Sequence, residues 1–141
     1  MARETQSFEE IFAARLKHLL EDRYPELELQ VTTLIFHFGA PHPDFVIANR
    51  STGSLLICEL KSGFQARHIP ISTLPYIRWV RDWFLADRRV GVDIVLITTG
   101  EIPQLVKRGF ARDGISYFEV ASPEEAVERL DAQLMKLQQA A

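Results

Sequence analysis

Apolar residues near the N-terminus recur every three or four positions, which predicts an amphipathic helix. Ser7 and Glu10 have the spacing of a capping box, in which both side chains bind backbone N–H groups, so we expect the helix to begin there. Pro25 should end the helix, because proline lacks the backbone N–H that a helix interior needs. The apolar positions between these limits are Phe8, Ile11, Phe12, Leu16, Leu19 and Leu20.

The next segment changes to the alternating pattern that is typical of β-strands. A first strand is predicted to begin at Leu27 and to continue toward Phe36 or Phe38. Two further strands, Phe45–Ala48 and Ser54–Lys61, flank a short polar turn. Strands joined by such a turn form an antiparallel hairpin.

The second half of the sequence alternates between helical and strand patterns. The predicted elements are a helix at about 72–87, a strand Val92–Thr98, a helix Pro103–Arg112, a strand Ile115–Val120 and a helix after Ser122. This order predicts an α/β fold, with a mixed sheet that combines an antiparallel hairpin with parallel crossover strands and carries helices on both faces. We expect one domain over residues 1–141.

Composition narrows the class of protein. The chain has 141 residues, of which 47% are apolar, and a formal net charge of −3, so it is neither a disordered nor a fibrous chain. No apolar run reaches the roughly 18 residues that a membrane helix needs, so we expect no membrane association. The polar, acidic N-terminal segment is unlike a signal peptide, and the single cysteine, Cys58, favours a reducing compartment. These observations predict a cytoplasmic protein.

Basic residues are concentrated in the middle of this acidic chain. Residues 61–112 contain 9 basic and 4 acidic side chains, a net charge of +5. Such a segment is consistent with an anion-binding surface, and equally with a set of solvated helix faces.

The predicted hairpin brings two carboxylates together. A loop of two or four residues centred between Ser51 and Thr52 would place Asp44 directly opposite Glu59, on the same face as Lys61. Two like charges at this separation repel, and a divalent cation such as Mg²⁺ or Mn²⁺ would offset the repulsion. A loop one residue longer or shorter would separate them. The alternative is a strand that emerges into solvent and forms a surface ion pair.

Glu9 is a candidate third carboxylate. A helical projection places it on the face of Phe12, Leu16 and Leu20, so we expect it to point toward the core and the hairpin site. The alternative is that Glu9 only stabilises the first turn of its helix through the helix dipole.

The residues Pro43-Asp44, followed after a gap by Glu59-Leu60-Lys61, resemble the signature of the PD-(D/E)XK nuclease superfamily. The resemblance implies the restriction-endonuclease-like fold and extends over nearly the whole chain, which is similar to Mrr-like nucleases and archaeal-type Holliday junction resolvases. Relatives of the RecB type often carry a Gln in the following helix, and this sequence has none there.

The resemblance also implies roles for individual residues. Asp44, Glu59 and the Leu60 carbonyl would hold Mg²⁺ or Mn²⁺, with Glu9 acting directly or through water. Lys61 would orient or deprotonate the attacking water, or stabilise the charge of the transition state. Residues of the basic segment would bind phosphates, the candidates being Arg67, Arg78, Arg81, Lys107 and Arg108.

The implied activity is that of a metal-dependent endonuclease that hydrolyses phosphodiester bonds in nucleic acid, with DNA as the expected substrate. A homodimer is one arrangement that would supply two sites for the two strands of a duplex. The first alternative is the same fold kept as a catalytically weak or inactive module that binds nucleic acid or a protein partner. The second is an unrelated α/β regulatory protein in which the Glu-x-Lys sequence is incidental.

Overall fold

The structure is a computed structural model that describes residues 7–30, 41, 43–86 and 91–139. The helices are α1 (Phe8–Arg23), α2 (Thr73–Leu85), α3 (Gln104–Asp113) and α4 (Pro123–Gln139). The strands are β1 (Leu27–Gln30), β2 (Phe45–Asn49), β3 (Leu55–Lys61), β4 (Val92–Thr98) and β5 (Ser116–Glu119), and a 3₁₀ turn, Gly63–Ala66, follows β3. The predicted order of elements is confirmed, while the continuation of the first strand toward Phe36 or Phe38 lies outside the described residues.

The five strands form one mixed sheet in the order β1-β2-β3-β4-β5. Strands β1, β2 and β3 pair antiparallel, and β3, β4 and β5 pair parallel. Parallel neighbours require crossover connections, which α2 and α3 provide. The predicted fold class, a mixed α/β sheet flanked by helices, is therefore confirmed.

Each face of the sheet is covered by two helices. Helices α1 and α4 pack on one face, where Phe12 and Leu130 are fully buried against residues such as Cys58. Helices α2 and α3 pack on the other face, where Val80 and Phe110 are fully buried. Because side chains alternate along a strand, successive residues of β3 contribute to opposite cores.

Serine side chains cap the N-termini of α1 and α4. The Ser7 hydroxyl accepts a hydrogen bond from the Glu10 N–H at 3.1 Å. At the start of α4, the Ser122 hydroxyl accepts from the Glu125 N–H at 3.1 Å, and the Glu125 carboxylate accepts from the Ala121 N–H at 2.8 Å. The caps satisfy N–H groups that have no partner within the helix, which explains why these helices begin where the sequence predicts.

Asn49 fixes the turn between β2 and β3. Its side-chain oxygen accepts hydrogen bonds from the N–H groups of Ser51 and Thr52, at 2.9 and 3.2 Å. Its backbone N–H donates to the Ser54 carbonyl at 2.9 Å, which leaves residues 50–53 as a four-residue loop. Gly53, with φ +79°, occupies the left-handed region that glycine tolerates best.

The loop length sets the register of the hairpin. Val46 pairs with Ile57 and Ala48 pairs with Leu55, as predicted for a loop of this length. Continuing the register past the end of β2 places Asp44 opposite Glu59.

The two tryptophans of α2 are partly exposed and are not buried in the core. Trp79 and Trp83 lie on the outer side of this helix, with 44% and 47% of the residue exposed.

No helix within the described ranges is long and apolar enough to cross a membrane.

Candidate active site

Asp44 is held against the strand that carries Glu59. One oxygen of its carboxylate accepts a hydrogen bond from the backbone N–H of Leu60 at 2.7 Å. Leu60 directly follows Glu59, so this bond fixes the Asp44 carboxylate beside the Glu59 side chain. The structure therefore brings together the two carboxylates that the hairpin register predicts.

Glu59 is buried, with only 3% of the residue exposed, and its Oε1 atom has no hydrogen-bond partner among the described residues. Burial, followed by the charge of nearby Asp44, raises the pKa of Glu59 to about 8, and this value already includes the lowering effects of Lys61 and of the Tyr76 hydroxyl. A carboxyl group in these surroundings carries a proton up to neutral pH or requires a positive partner to stay ionised.

Lys61 ends β3 and is only partly exposed. It lies two residues after Glu59, so the two side chains emerge from the same face of the sheet. Its charge lowers the Glu59 pKa, which places the ammonium group within electrostatic reach of the carboxylate. The backbone carbonyl of Lys61 accepts from the Thr99 N–H at 3.0 Å, so the end of the strand is held in place.

Tyr76, near the start of α2, is a site residue that the sequence analysis did not assign. It is partly buried, and its hydroxyl lies close enough to Glu59 to lower the carboxyl pKa. Burial, together with the charges of Glu59 and Asp44, raises the pKa of Tyr76 itself to about 12. The available signal was the spacing of Tyr76 from Thr73 and Val80, which places it on the face of α2 that turns toward the sheet.

The predicted orientation of Glu9 is wrong. Glu9 is exposed in the first turn of α1 and does not point into the core. Partial burial raises the pKa of Glu9, and the negative charges of Asp44 and Glu10 raise it to a smaller extent. Glu9 is thus near enough to sense Asp44, but α1 packs on the face of the sheet opposite to the one that carries Glu59.

The donor set fits a divalent cation in part. Within the described ranges, no three His, Cys, Asp or Glu side chains are grouped closely enough to hold a metal ion. Two carboxylates are nevertheless adjacent, and the unpartnered Oε1 of Glu59 is a hard oxygen ligand of the kind that Mg²⁺ and Mn²⁺ prefer. Asp44, Glu59 and the Leu60 carbonyl therefore remain predicted ligands, with Glu9 as an outlying one.

The predicted phosphate-binding residues separate into two groups. Arg67 is exposed and lines a groove together with Lys61. Arg78 instead pairs with the carboxylate of Asp113 at the end of α3, and Arg81 donates to the Asp113 carbonyl at 2.8 Å.

The remaining two candidates lie on α3. The Lys107 ammonium contacts the Glu119 carboxylate at 2.6 Å, which raises the pKa of Lys107. Arg108 is exposed. Since Arg78, Arg81 and Lys107 already have anionic or carbonyl partners, Arg67 is the candidate most closely associated with the carboxylate site.

Cys58 is part of the core. It is fully buried on the face covered by α1 and α4, and burial raises the pKa of its thiol. A thiol in an apolar environment with a raised pKa is a poor nucleophile, so Cys58 contributes no chemistry to the site.

Known proteins resemble this chain in structure and not in sequence. No protein-family model matches the sequence, and no curated protein shows significant similarity to it. A repair endonuclease from Pyrococcus abyssi is similar in structure over 86% of this chain and 50% of its own, with 13% sequence identity and a TM-score of 0.55. The EndoMS–dsDNA2 complex is similar over 87% of this chain and 49% of its own, with 14% identity and a TM-score of 0.56.

This chain therefore spans about half the length of either endonuclease. The similarity extends over most of this chain, and at such low identity it concerns the fold. The chain has the restriction-endonuclease-like fold.

Proposed function

We propose that this chain is a metal-dependent nuclease that hydrolyses phosphodiester bonds in nucleic acid, with DNA as the favoured substrate. The observation that carries the proposal is the buried Glu59, which has an oxygen without a partner among the described residues and lies near the anchored Asp44 and the charged Lys61. Burying such a group is unfavourable for folding, and groups of this kind with perturbed pKa values are concentrated at functional sites.

Mg²⁺ or Mn²⁺ is the proposed cofactor. Asp44, Glu59 and the Leu60 carbonyl would hold the cation, and Glu9 would contribute to its field or to an outer ligand position. When bound, a divalent cation lowers the pKa of a coordinated water and stabilises charge on a phosphate. The protein's part is to keep Asp44 fixed by the Leu60 N–H and Glu59 buried, so that both carboxylates face one point.

Lys61 and Tyr76 complete the proposed site. Lys61 would position the attacking water or stabilise the negative charge that develops on the phosphate. Tyr76 would act as a positioning residue, because its hydroxyl lowers the pKa of Glu59 and so favours the ionised carboxylate.

DNA is the favoured substrate for two reasons. The structural relatives are described as a repair endonuclease and as an endonuclease in complex with dsDNA, and the middle of this chain carries a net charge of +5 over residues 61–112. Cutting inside a strand, assembly as a homodimer and a cytoplasmic location belong to the same proposal. The last of these is based on the single cysteine.

One observation favours the alternative function, a nuclease-fold module that binds nucleic acid or a protein partner with little catalysis. Within the described part of the chain, no third His, Cys, Asp or Glu side chain is grouped with Asp44 and Glu59 closely enough to hold a metal ion. Such a module would bind its partner without needing a metal.

Cleavage assays distinguish the two functions. Labelled linear duplex, single-stranded and branched DNA would be incubated with Mg²⁺, Mn²⁺ or EDTA and the wild type, Glu59→Gln or Lys61→Ala. Glu128→Gln, an exposed glutamate on α4, is the matched control. We expect metal-dependent cutting by the wild type and the control, and loss of cutting in the two site variants.

A wild-type protein that cuts neither DNA nor RNA with either metal would overturn the nuclease proposal. If that protein still bound nucleic acid in a gel-shift assay, the binding module would be the correct function. Cutting that survives both site variants would instead show that the active site lies elsewhere.

A further inference from the structure

A groove of about 630 Å³ lies next to the proposed active site. One wall is the segment that follows β3, and the other is the beginning of α2. Its lining includes Lys61 and Tyr76 at one end, and Phe64, Arg67 and His68 along the first wall. The groove therefore connects the residues that surround Glu59 with a surface that the proposed chemistry does not use.

Phe64 is the most unusual residue in this groove. It is 82% exposed, more than any other large hydrophobic residue within the described ranges. Its neighbour Ala66, in the same 3₁₀ turn, is buried, so the turn packs through Ala66 and presents Phe64 to solvent. The ring is part of neither core, so its aromatic surface is open to a ligand.

Arg67 lies against the Phe64 ring. The guanidinium carbon is 5.5 Å from the ring centroid, within the range of a cation–π interaction. Among the described residues, Arg67 has no carboxylate partner. It therefore combines an available positive charge with an aromatic face, a pairing typical of surfaces that bind single-stranded nucleic acid.

The turn that carries Phe64 is held tightly. Its backbone is closed by hydrogen bonds from Gln65 N–H to Ser62 and from Arg67 N–H to Phe64, both at 3.2 Å. The loop after β4 packs directly against it, since a Cβ atom added at Gly100 would lie 1.9 Å from the Ala66 carbonyl oxygen. A ring mounted on such a turn is positioned before any ligand arrives, which reduces the entropy lost on binding.

We infer that Phe64 and Arg67 form a stacking platform for an unpaired base of the strand whose scissile phosphate lies at Lys61. This inference rests on the proposed function and adds a substrate preference to it. Phe64 follows Lys61 by only three positions, and one groove joins them. A base can reach the exposed ring face only when it is out of the duplex stack, so the site should favour single-stranded or locally unpaired nucleic acid.

The test is a binding measurement in EDTA, which separates binding from cleavage. Fluorescence anisotropy would follow a labelled single-stranded DNA of about 12 nucleotides, and the same strand with every base removed, on wild type and Phe64→Ala. We expect Phe64→Ala to weaken binding of the intact strand about 5- to 30-fold and to leave binding of the base-free strand unchanged. Phe64→Trp should retain the wild-type affinity.

Two further variants sharpen the result. Leu105→Ala removes another exposed hydrophobic residue, 62% exposed on α3, and should bind both strands like the wild type. Arg67→Ala should weaken the binding of both strands. The slope of log affinity against log salt concentration should also fall by about one, which corresponds to one lost phosphate contact.

The platform would be overturned if Phe64→Ala and Leu105→Ala bound the intact strand with equal affinity. It would also be overturned if Phe64→Ala lost the same affinity for the intact strand as for the base-free strand. These results would leave the nuclease proposal intact if the wild type still cuts DNA. A wild type that neither cuts nor binds nucleic acid would contradict the proposed function itself, and Phe64 would then belong to a surface for a different partner.

Discussion

The two ends of the β2–β3 hairpin bury polar side chains in contrasting ways. At the turn, Asn49 is 2% exposed, and both ends of its amide are used within the protein: the oxygen accepts from two N–H groups, and the nitrogen donates to the Leu137 carbonyl at 3.0 Å. At the other end, Glu59 is 3% exposed, and one of its oxygens has no donor among the described residues.

The contrast distinguishes a buried polar residue that the fold explains from one that the fold does not explain. The fold alone accounts for Asn49, since its hydrogen bonds set the turn and attach it to α4. Folding alone does not account for Glu59, because an unsatisfied buried polar atom costs about 1–3 kcal/mol, and more when it is charged. Removing the two side chains should therefore have opposite consequences for activity and for stability.

The largest expected effect is on cleavage by Glu59→Gln. The substitution keeps the size of the side chain but removes the charge, so the proposed metal site loses a ligand and cleavage of DNA should fall about a thousandfold or more. Single-turnover rates at saturating Mg²⁺ measure this effect. Asn49→Ala serves as the control, and a similar loss of rate per folded molecule in both variants would remove the distinction.

Asn49→Ala should instead destabilise the protein. It leaves two N–H groups and a carbonyl without their partner, at a cost of about 2–4 kcal/mol in the free energy of unfolding. Asn49→Asp keeps the acceptor, but its second oxygen would face the carbonyls of Leu137 and Gln138 without a donor, so it should not restore the lost stability. Urea denaturation measures both, and unchanged stability in Asn49→Ala would show that the turn does not depend on these bonds.

Stability in the absence of metal should fall as the pH rises from about 5 to 8. The folded-state pKa of Glu59, about 8, lies above its ordinary value of 4.5, so the folded protein binds the proton more tightly than the unfolded chain does. The stabilisation is complete below the ordinary pKa and is lost as the pH rises through the folded one. Across this window the loss should be on the order of 2–4 kcal/mol.

Thermal unfolding in EDTA at a series of pH values measures this dependence. Glu59→Gln should flatten it and should be more stable than the wild type at pH 8. Asn49→Ala should keep the wild-type slope at lower overall stability. A wild-type slope that persists in Glu59→Gln would assign the titration to another group.

The smallest expected effect comes from Tyr76→Phe. The Tyr76 hydroxyl lowers the pKa of Glu59, so its removal should raise that pKa and shift the rise of cleavage rate with pH toward higher pH. The rate at pH 7 should fall about threefold, with full recovery at higher pH. A uniform loss at every pH would show that Tyr76 acts through packing instead.

Local patterns predicted the elements and the carboxylate pair correctly. The capping serines, the alternation of the strands and the even-numbered loop are short-range features, and the facing of Asp44 and Glu59 follows from them. Residues far apart in sequence were harder to place. The partnership of Arg78 and Arg81 with Asp113 depends on how α2 and α3 pack, which no local pattern encodes.

Glu9 and Tyr76 show two further limits of sequence reasoning. A helical projection gives the direction of Glu9 around α1 but not its position along the axis, and in the first turn this residue lies at the exposed end of the helix. Tyr76 has the spacing of a core residue, and only the assembled sheet shows that its hydroxyl meets Glu59.

The order of the strands also bears on how the chain folds. The β2–β3 hairpin joins neighbouring segments, whereas the pairing of β3 with β4 requires the whole crossover through α2. Small loops close at a lower entropy cost, so the hairpin is expected to form first, before Tyr76 can reach the sheet. The repulsion between Asp44 and Glu59 thus opposes an early step of folding. The chain should therefore fold fastest when Glu59 carries its proton, so we expect the residue proposed to act on nucleic acid to influence also how quickly its own strand is assembled.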